Sequence, residues 1–361
     1  MLVQPEQKKS SDAVVAVVPT FNEAAHIETC IRSLATGSAK STPMLIVDGM
    51  STDGTQAIVE GLKVEFPNLE LIDNPKRLQS AALNLAARHP LAANKDYLVR
   101  CDAHSKYPTD FIQSVTDSLA KTEAASVVTV MDANGTSCFE RANAWIVDTP
   151  LGSGGSAHRG GTKSGYVDHG HHAGFALDWF NKLGGYDETF SHNEDAEYDR
   201  RLTEAGGKIF LDADIRIEYV PRGTLLSLAR QYFNYGKGRA RTTLKHKAPP
   251  KLRQLLPVAA FVGCLLGLLV APIFPLSISV PGTYAILIVL VSAYFMAAKR
   301  SVCGIWAGLA MAGMHLSWGA GFLTQLTRMV TTNSRGASPQ HDQIHREPVA
   351  QRKTQNNVSN R

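Results

Sequence analysis

Between residues 255 and 323 the chain has three runs without a single Asp, Glu, Lys or Arg: 255–275, 281–298 and 302–323. At about 1.5 Å of rise per residue, helices of this length match a bilayer core of roughly 30 Å. A soluble α/β domain rarely carries three such runs in succession. We therefore expect two to three transmembrane helices within residues 255–327. The third run is the least typical, because it is rich in glycine and contains His315. If it spans, the basic tail after it lies outside; an interfacial or re-entrant placement is the alternative. Seven basic residues and no acid fill the stretch 237–253 before the first run, and Lys299 and Arg300 separate the second from the third. Both features place the N-terminal domain on the cytoplasmic side of the inner membrane by the positive-inside rule.

Charge is distributed to match. From Gln231 onward there are 15 basic residues against two acids, whereas residues 1–230 carry 22 basic and 30 acidic residues. A basic half beside an acidic half points to an anionic surface as partner. The adjoining apolar runs favour lipid over nucleic acid. None of the five cysteines, at 30, 101, 138, 264 and 303, is in CxxC spacing, and all five are expected to be reduced, as in a cytoplasmic domain. Residues 1–12 lack the apolar core of a signal peptide. The expected organisation is a flexible N-terminus at 1–11, one large domain at 12–245, a basic juxtamembrane segment at 246–254, the apolar region, and a polar, disordered tail at 328–361.

Within 12–245 short apolar runs alternate with amphipathic stretches. Strands are expected at 13–18, 44–48, 69–72, 97–102 and 126–131, and helices at 23–34, 55–65, 78–88 and 109–120. Thr52 or Asp53 is placed to cap the second helix. Strand–helix alternation implies a mostly parallel sheet covered on both faces. The strands are rich in β-branched residues with little polar alternation, as burial on both faces requires. The stretch 149–165 is too rich in glycine for regular structure. It does not hold the Lys-Ser/Thr pair where a phosphate loop needs it. It reads as a mobile loop over an active site, with an inert surface loop as the alternative. A basic, aromatic helix is expected at about 225–235.

Three acidic clusters stand at the ends of expected elements: Asp48 in IVDGMSTDGT with Asp53 nearby, Asp102 in YLVRCDAH, and Glu194–Asp195 in NEDAEYDRRL. Ligands of open α/β sheets bind beyond the carboxyl ends of the strands. Carboxylates gathered there can hold a divalent cation, bind a ribose or remove a proton. Each alone equally suits an N-cap or a turn; their joint occurrence favours a site.

The order Pro19-Thr-Phe-Asn22-Glu23, Val47-Asp48-Gly-Met-Ser-Thr-Asp53-Gly-Thr, Asp102-Ala-His104 and Glu194-Asp195 resembles the family 2 glycosyltransferases of GT-A fold, over about residues 12–245. The stretches Val167-Asp-His-Gly-His-His-Ala, HNEDAEYDRRL and ARQYFNYGKGRAR are similar to the bacterial exopolysaccharide glucosyltransferases of succinoglycan type. The resemblance implies an α/β GT-A domain that binds a UDP-sugar. It implies that Pro19, Asn22 and Glu23 shape the nucleotide pocket, with Asp53 beside them, and that Asp48 contacts the uracil and ribose side. Asp102 and His104 occupy the place of the family's Asp-x-Asp metal motif, with histidine for the second aspartate. The implied cofactor is Mn2+ or Mg2+. Asp195 stands where the family has its general base, with Glu194 orienting it or the acceptor. Asn74, Lys76, Arg77 and Asn84 stand where relatives contact the nucleotide. Processive synthases carry Gln-x-x-Arg-Trp beyond this point. Here Gln231 leads instead to Lys237 and Arg239, which suit a diphosphate and lipid headgroups equally. The resemblance further implies UDP-glucose as donor, a lipid-diphosphate-linked saccharide ending in galactose as acceptor, and an inverted β-1,3 linkage.

His169, His171 and His172 remain open among sugar or acceptor contacts, packing and a metal site. On an extended strand, His169 and His171 would share a face. The GGYDE turn at 184–188 reads as structural, a wall near Asp195. A nucleotidyltransferase or sugar-phosphate transferase is the competing enzyme class, although 17–22 lacks its glycine- and basic-rich phosphate loop. A membrane scaffold would not need Asp48, Asp102 and Asp195 together.

Overall fold

The computed structural model describes residues 12–334 apart from Ala248. The expectations for residues 1–11 and 335–361 lie outside the described residues. Eight strands form one sheet: β1 Val14–Thr20, β2 Met44–Asp48, β3 Leu69–Asp73, β4 Tyr97–Arg100, β5 Ser126–Ala133, β6 Gly165–Val167, β7 His171–Ala176 and β8 Ile209–Tyr219. Their order is β3-β2-β1-β4-β7-β5-β8-β6. Strands β1 to β4 pair in parallel, as does β5 with β8. Strand β7 runs antiparallel between β4 and β5, so the sheet is mixed at its centre.

Alternate residues of β1 enter opposite layers, as strand geometry requires. Val14, Ala16 and Val18 face helices α1 (Ile27–Leu34), α2 (Thr55–Leu62) and α4 (Phe111–Thr122). Val15 and Val17 face α3 (Gln79–Arg88), α7 (Leu177–Lys182) and α8 (Glu194–Glu204). Because both faces are covered, the strands show the uninterrupted apolar runs seen in the sequence. The parallel register places Thr20, Asp48 and Asp73 side by side at the carboxyl edge.

Beyond β5 come α5 (Cys138–Val147) and the short α6 (Pro150–Ser153). Beyond β8, α9 (Leu225–Lys245) opens with a capping box between Thr224 and Ser227 and runs ten residues past its expected end. Then follow α10 (Leu252–Val270), α11 (Ser279–Ala298) and α12 (Ile305–Ser334). Among the described residues two segments are long and apolar enough to cross a membrane, Leu252–Val270 and Pro275–Ala298, and both are almost unburied by protein.

The third apolar run differs. Helix α12 buries Ala307, Ala310, Met311, Met314 and Phe322 against α5, α9 and α11. Glycines set its distance from α9: a Cβ on Gly321 would lie 2.0 Å from the Phe233 carbonyl oxygen, and one on Gly236 would lie 2.1 Å from that of Trp318. Such close backbone approach is how small residues join helices. Thus α12 welds the catalytic domain to the exposed helices. It also continues to Ser334, so 328–334 is helical rather than the start of a disordered tail.

The cysteine expectation requires correction. Helix α5 starts at Cys138 beside the turn that precedes α12, and Cys138 is disulfide-bonded to Cys303 with a Cα–Cα distance of 4.8 Å. The other three, Cys30, Cys101 and Cys264, are free thiols. A partner 165 positions away leaves no spacing signal in the sequence.

Candidate active site

The first loop of the site follows β1. Asn22 adopts a left-handed φ of 56°, a conformation Asn tolerates better than most residues. Its N–H donates to Ser51 Oγ at 2.8 Å, and its Oδ1 accepts from the Thr52 N–H at 2.9 Å. Glu23 donates its N–H to Thr55 Oγ1. Asp53 accepts from the Ala24 N–H through Oδ2 and from Thr55 through Oδ1. Pro19 is half-buried in β1, paired with Val47. These residues tie the loops after β1 and β2 into one wall.

Asp48 belongs to the same wall. Its carboxylate is fully buried and accepts from Thr20 Oγ1, Ser51 Oγ, the Ser51 N–H and Gln56 Nε2. Four donors converge on this carboxylate, so it organises the loops after β1 and β2. The Asn84 amide donates to the Tyr186 carbonyl and to Glu188 Oε1, and accepts from the Tyr186 N–H. It clamps the turn at Gly184–Gly185. Lys76 pairs with Glu188 at 2.5 Å. Arg77 remains exposed, with its guanidinium over the Phe21 ring at 5.6 Å.

Two acids meet across the sheet. Asp102 follows β4, and its N–H is held by the Tyr107 hydroxyl oxygen at 2.5 Å. Asp195 is the second residue of α8. Arg100, buried at the end of β4, joins them: Nη1 is 3.0 Å from Asp195 Oδ1 and Nε is 3.5 Å from Asp102 Oδ1. The Tyr186 hydroxyl also donates to Asp195 Oδ1 at 2.5 Å. Burial acts to raise the pKa of Asp195, but the Arg100 charge, with His172, His171 and the Tyr186 bond, outweighs it and holds the group well below the usual carboxylate range. Asp195 Oδ2 has no hydrogen-bond partner among the described residues. Glu194, also expected at the site, is buried at the start of the same helix.

His104 is exposed and meets Glu23 Oε1 at 3.2 Å, a bond that raises its pKa. His171 Nε2 lies 3.4 Å from Asp102 Oδ2. Burial drives the His171 pKa down to about 4 despite that carboxylate, so the ring is neutral. Among the described residues no three acid, His or Cys side chains converge as a metal-ligand group. Asp102 and His104, two residues apart at the strand end, offer two donors. This fits a divalent ion that takes its other ligands from substrate phosphates and water.

The remaining histidines face elsewhere. His172, fully buried, meets Asp199 Oδ1 at 2.6 Å through Nε2 and Ser126 Oγ at 2.5 Å through Nδ1. His169 Nδ1 binds Asp199 Oδ2. Strand β7 begins only at His171, and the β5–β7 pairing shifts register between Val127 and Val128. His169 and His172 therefore converge on Asp199, and His171 alone points to Asp102, in place of the His169–His171 face expected from an unbroken strand. Asp199 lies one helical turn beyond Asp195, so this network anchors α8 from below. On the far side, buried Glu197 is bound by Arg201 and by Lys245 of α9. Lys237 and Arg239 are half-buried on α9, on either side of Gly238, which packs against His192 and Asn193 just before α8.

Sequence reasoning passed over Arg100 and Asp199, and read Tyr186 only as part of a structural turn near Asp195. Arg100 stood in the quoted motif two residues before Asp102, and an arginine in an otherwise apolar strand was the available signal. An apolar cavity of about 400 Å³ lies between α6 and α11, lined by Pro150, Leu151, Val291 and Tyr294 among others, with no carboxylate, histidine, lysine or arginine in its lining.

Comparison with known proteins places this geometry in context. The sequence pattern described as Glycosyl transferase family 2 matches residues 15–184. The chain is 41% identical over 318 residues to the succinoglycan biosynthesis protein ExoA of Rhizobium meliloti, covering 88% of this chain and 96% of that one. It is 26% identical over 232 residues to a dolichyl N-acetyl-alpha-D-glucosaminyl phosphate 3-beta-D-2,3-diacetamido-2,3-dideoxy-beta-D-glucuronosyltransferase of Methanococcus voltae, covering 61% of this chain and 70% of that one. Its fold is similar to that of the mannosyltransferase PcManGT of Pyrobaculum calidifontis, solved with GDP-Man and Mn2+, at a TM-score of 0.54, 19% identity and 87% coverage of each chain.

Proposed function

Because the chain belongs to glycosyltransferase family 2, we propose that it transfers glucose from UDP-glucose, with inversion, onto a lipid-diphosphate-linked saccharide during exopolysaccharide synthesis, forming a β-1,3 linkage. The competing nucleotidyltransferase reading lapses with family membership. One observation carries the proposal: Asp195 is held on one oxygen by Arg100 and Tyr186, with Oδ2 left available, across from Asp102.

Asp102 and His104 would hold a divalent ion, Mn2+ or Mg2+, which neutralises charge on the departing diphosphate. For this His104 must give up the proton that Glu23 favours, so metal binding releases it. Asn22, Glu23 and Asp53 shape the wall around the nucleoside, and Arg77 is free to reach it. Asp195 is ionised at any working pH. Its Oδ2 takes the proton of the acceptor hydroxyl as that hydroxyl attacks the anomeric carbon and becomes acidic. Neutral His171 lies between the two acids, placed to contact the sugar. Helices α10 and α11 hold the domain at the cytoplasmic face of the membrane, where a lipid-borne acceptor presents its sugar.

The test is a donor panel with the membrane-embedded protein. Labelled UDP-glucose, UDP-galactose and UDP-N-acetylglucosamine are offered with Mn2+ or Mg2+, and label in extracted lipid is counted. Metal-dependent label from UDP-glucose alone is expected, with Asp195→Asn abolishing it while UDP binding persists. Normal turnover by Asp195→Asn would remove the base assignment.

A further inference from the structure

Helix α6 is a single turn, yet side chains from three other helices hold it and its end. His315 Nε2 of α12 donates to the Leu151 carbonyl at 2.6 Å, Tyr232 of α9 to that of Gly152 at 3.4 Å, and Arg253 of α10 to that of Gly154 at 3.2 Å. The catalytic domain therefore extends a fixed apolar corner, Pro150 and Leu151, toward α11 without closing on it. The gap between them is the apolar cavity of about 400 Å³. Val291 and Phe295 form its buried floor, whereas Leu290 and Tyr294 of α11 and Leu151 of α6 stand as walls that are 60%, 65% and 42% exposed. Apolar walls gathered around one pinned groove mark a binding surface, unlike single exposed side chains.

Position decides what fills it. Helix α11 belongs to the second candidate membrane span and ends at two exposed cations, Lys299 and Arg300. Phe295 and Leu290 stand four and nine residues before Lys299, so at the helical rise the groove occupies a layer about 6–14 Å from the lysine level. That is the depth of lipid chains beneath a row of headgroups.

The cation adjoins the groove. Lys299 Nζ lies over the Trp145 ring at 5.9 Å, and Trp145 stacks on Phe295 of the floor at 6.4 Å. Asp148 feels the Lys299 charge, but it also faces Arg159 and Arg216, and Lys299 forms no ion pair among the described residues. A positive end on an apolar groove complements an amphiphile with an anionic head. An apolar cavity of roughly 150 Å³ takes one benzene ring, so this volume suits a single chain segment of roughly a dozen carbons.

We propose that the groove between α6 and α11 seats one chain of an anionic phospholipid, with the lipid phosphate on Lys299. The lipid then completes the joint between the catalytic domain and the membrane helices. This rests on α11 spanning the membrane, as in the function proposed above, and adds a specific lipid site to it.

The test uses the full chain, freed of lipid, in neutral detergent. The probes are phosphatidylglycerol and phosphatidylcholine with brominated chains, and undecaprenyl phosphate as a competitor. Bromine quenches a nearby indole, and the part of the quenching lost in Trp145→Phe reports a chain in the groove. Brominated phosphatidylglycerol is expected to bind about fivefold more tightly than the phosphatidylcholine, the effect of one cation at a lipid surface. Lys299→Gln should remove that preference and Lys299→Arg should restore it. Leu290→Glu, which sets a charge in an apolar wall, should weaken both lipids at least tenfold. Leu151→Glu on the facing wall should do the same, which a fault confined to α11 would not. Equal binding of the two phospholipids, unchanged binding in both Glu variants, or quenching that survives in full in Trp145→Phe overturns the proposal. So does displacement of phosphatidylglycerol by a lower concentration of undecaprenyl phosphate, which assigns the groove to the acceptor's carrier. A wild type that stays monodisperse without detergent would instead strike the membrane reading, and absent sugar transfer would strike only the catalytic one, since no donor enters this assay.

Discussion

Replacing Asp199 should be among the most damaging single changes in the catalytic domain, because two histidines close on its buried carboxylate. Its carboxylate is 2% exposed and is bound by His172 Nε2 at 2.6 Å and by His169 Nδ1. His172 is fully buried and passes the network on to Ser126 Oγ. In Asp199→Ala the His172 Nε2 is left enclosed with no partner. Losing a buried hydrogen bond to a carboxylate costs about 1.5–3 kcal/mol. A domain of this size loses about 2–4 °C per kcal/mol, so melting should fall by roughly 3–12 °C. Asp199→Asn keeps the shape and one acceptor oxygen and should lose about half as much. Melting of the detergent-solubilised full chain, followed by circular dichroism, measures both. Because Asp199 lies one turn from Asp195, turnover should fall in Asp199→Asn at temperatures where the fold is intact, with UDP affinity retained. A melting point for Asp199→Ala within about 2 °C of wild type would refute the argument that this network anchors α8.

Three further outcomes follow from the geometry. Gly185 has a φ of 73°, and a Cβ there would lie 2.2 Å from Asn84 Oδ1. Gly185→Ala combines left-handed strain of about 1–2 kcal/mol with overpacking of about 1–3 kcal/mol, and an unchanged melting point would show that the turn is not clamped. Alkylation of the denatured, unreduced protein should label only Cys30, Cys101 and Cys264. Five labelled thiols would mean that the Cys138–Cys303 bond does not form in the cell. Burial works to raise the pKa of Asp187, but its bonds from Lys245 and Thr189 outweigh that and hold it at about 2. Its folded pKa thus lies below the unfolded value of about 3.9, so its stabilisation is present above about pH 4 and lost as pH falls toward 2. Asp187→Asn should flatten acid unfolding over that window, and superimposable curves would count against the ion pair.

Local pattern was enough for the first five strands and the first four helices, because strands buried on both faces and amphipathic helices differ over a few consecutive residues. The same holds for α10 and α11, where absence of charge over a membrane's width is a property of the run itself. The carboxyl-edge position of Asp48 and of Asp102 followed from the strand ends. What each acid does there did not. Asp48 turned inward because donors from β1, its own turn and α2 converge on it. Arg100 and Asp195, 95 residues apart, meet because α8 packs beside a strand inserted antiparallel into the sheet. The split of three adjacent histidines between Asp102 and Asp199, the disulfide, and the packing of α12 on α9 are likewise contacts between distant segments. A short window of sequence carries periodicity and composition. It does not carry the identity of the partner that fills the opposite side of a contact, and in this protein those partners set the charge of the acids, the orientation of the histidines and the place of the third apolar helix.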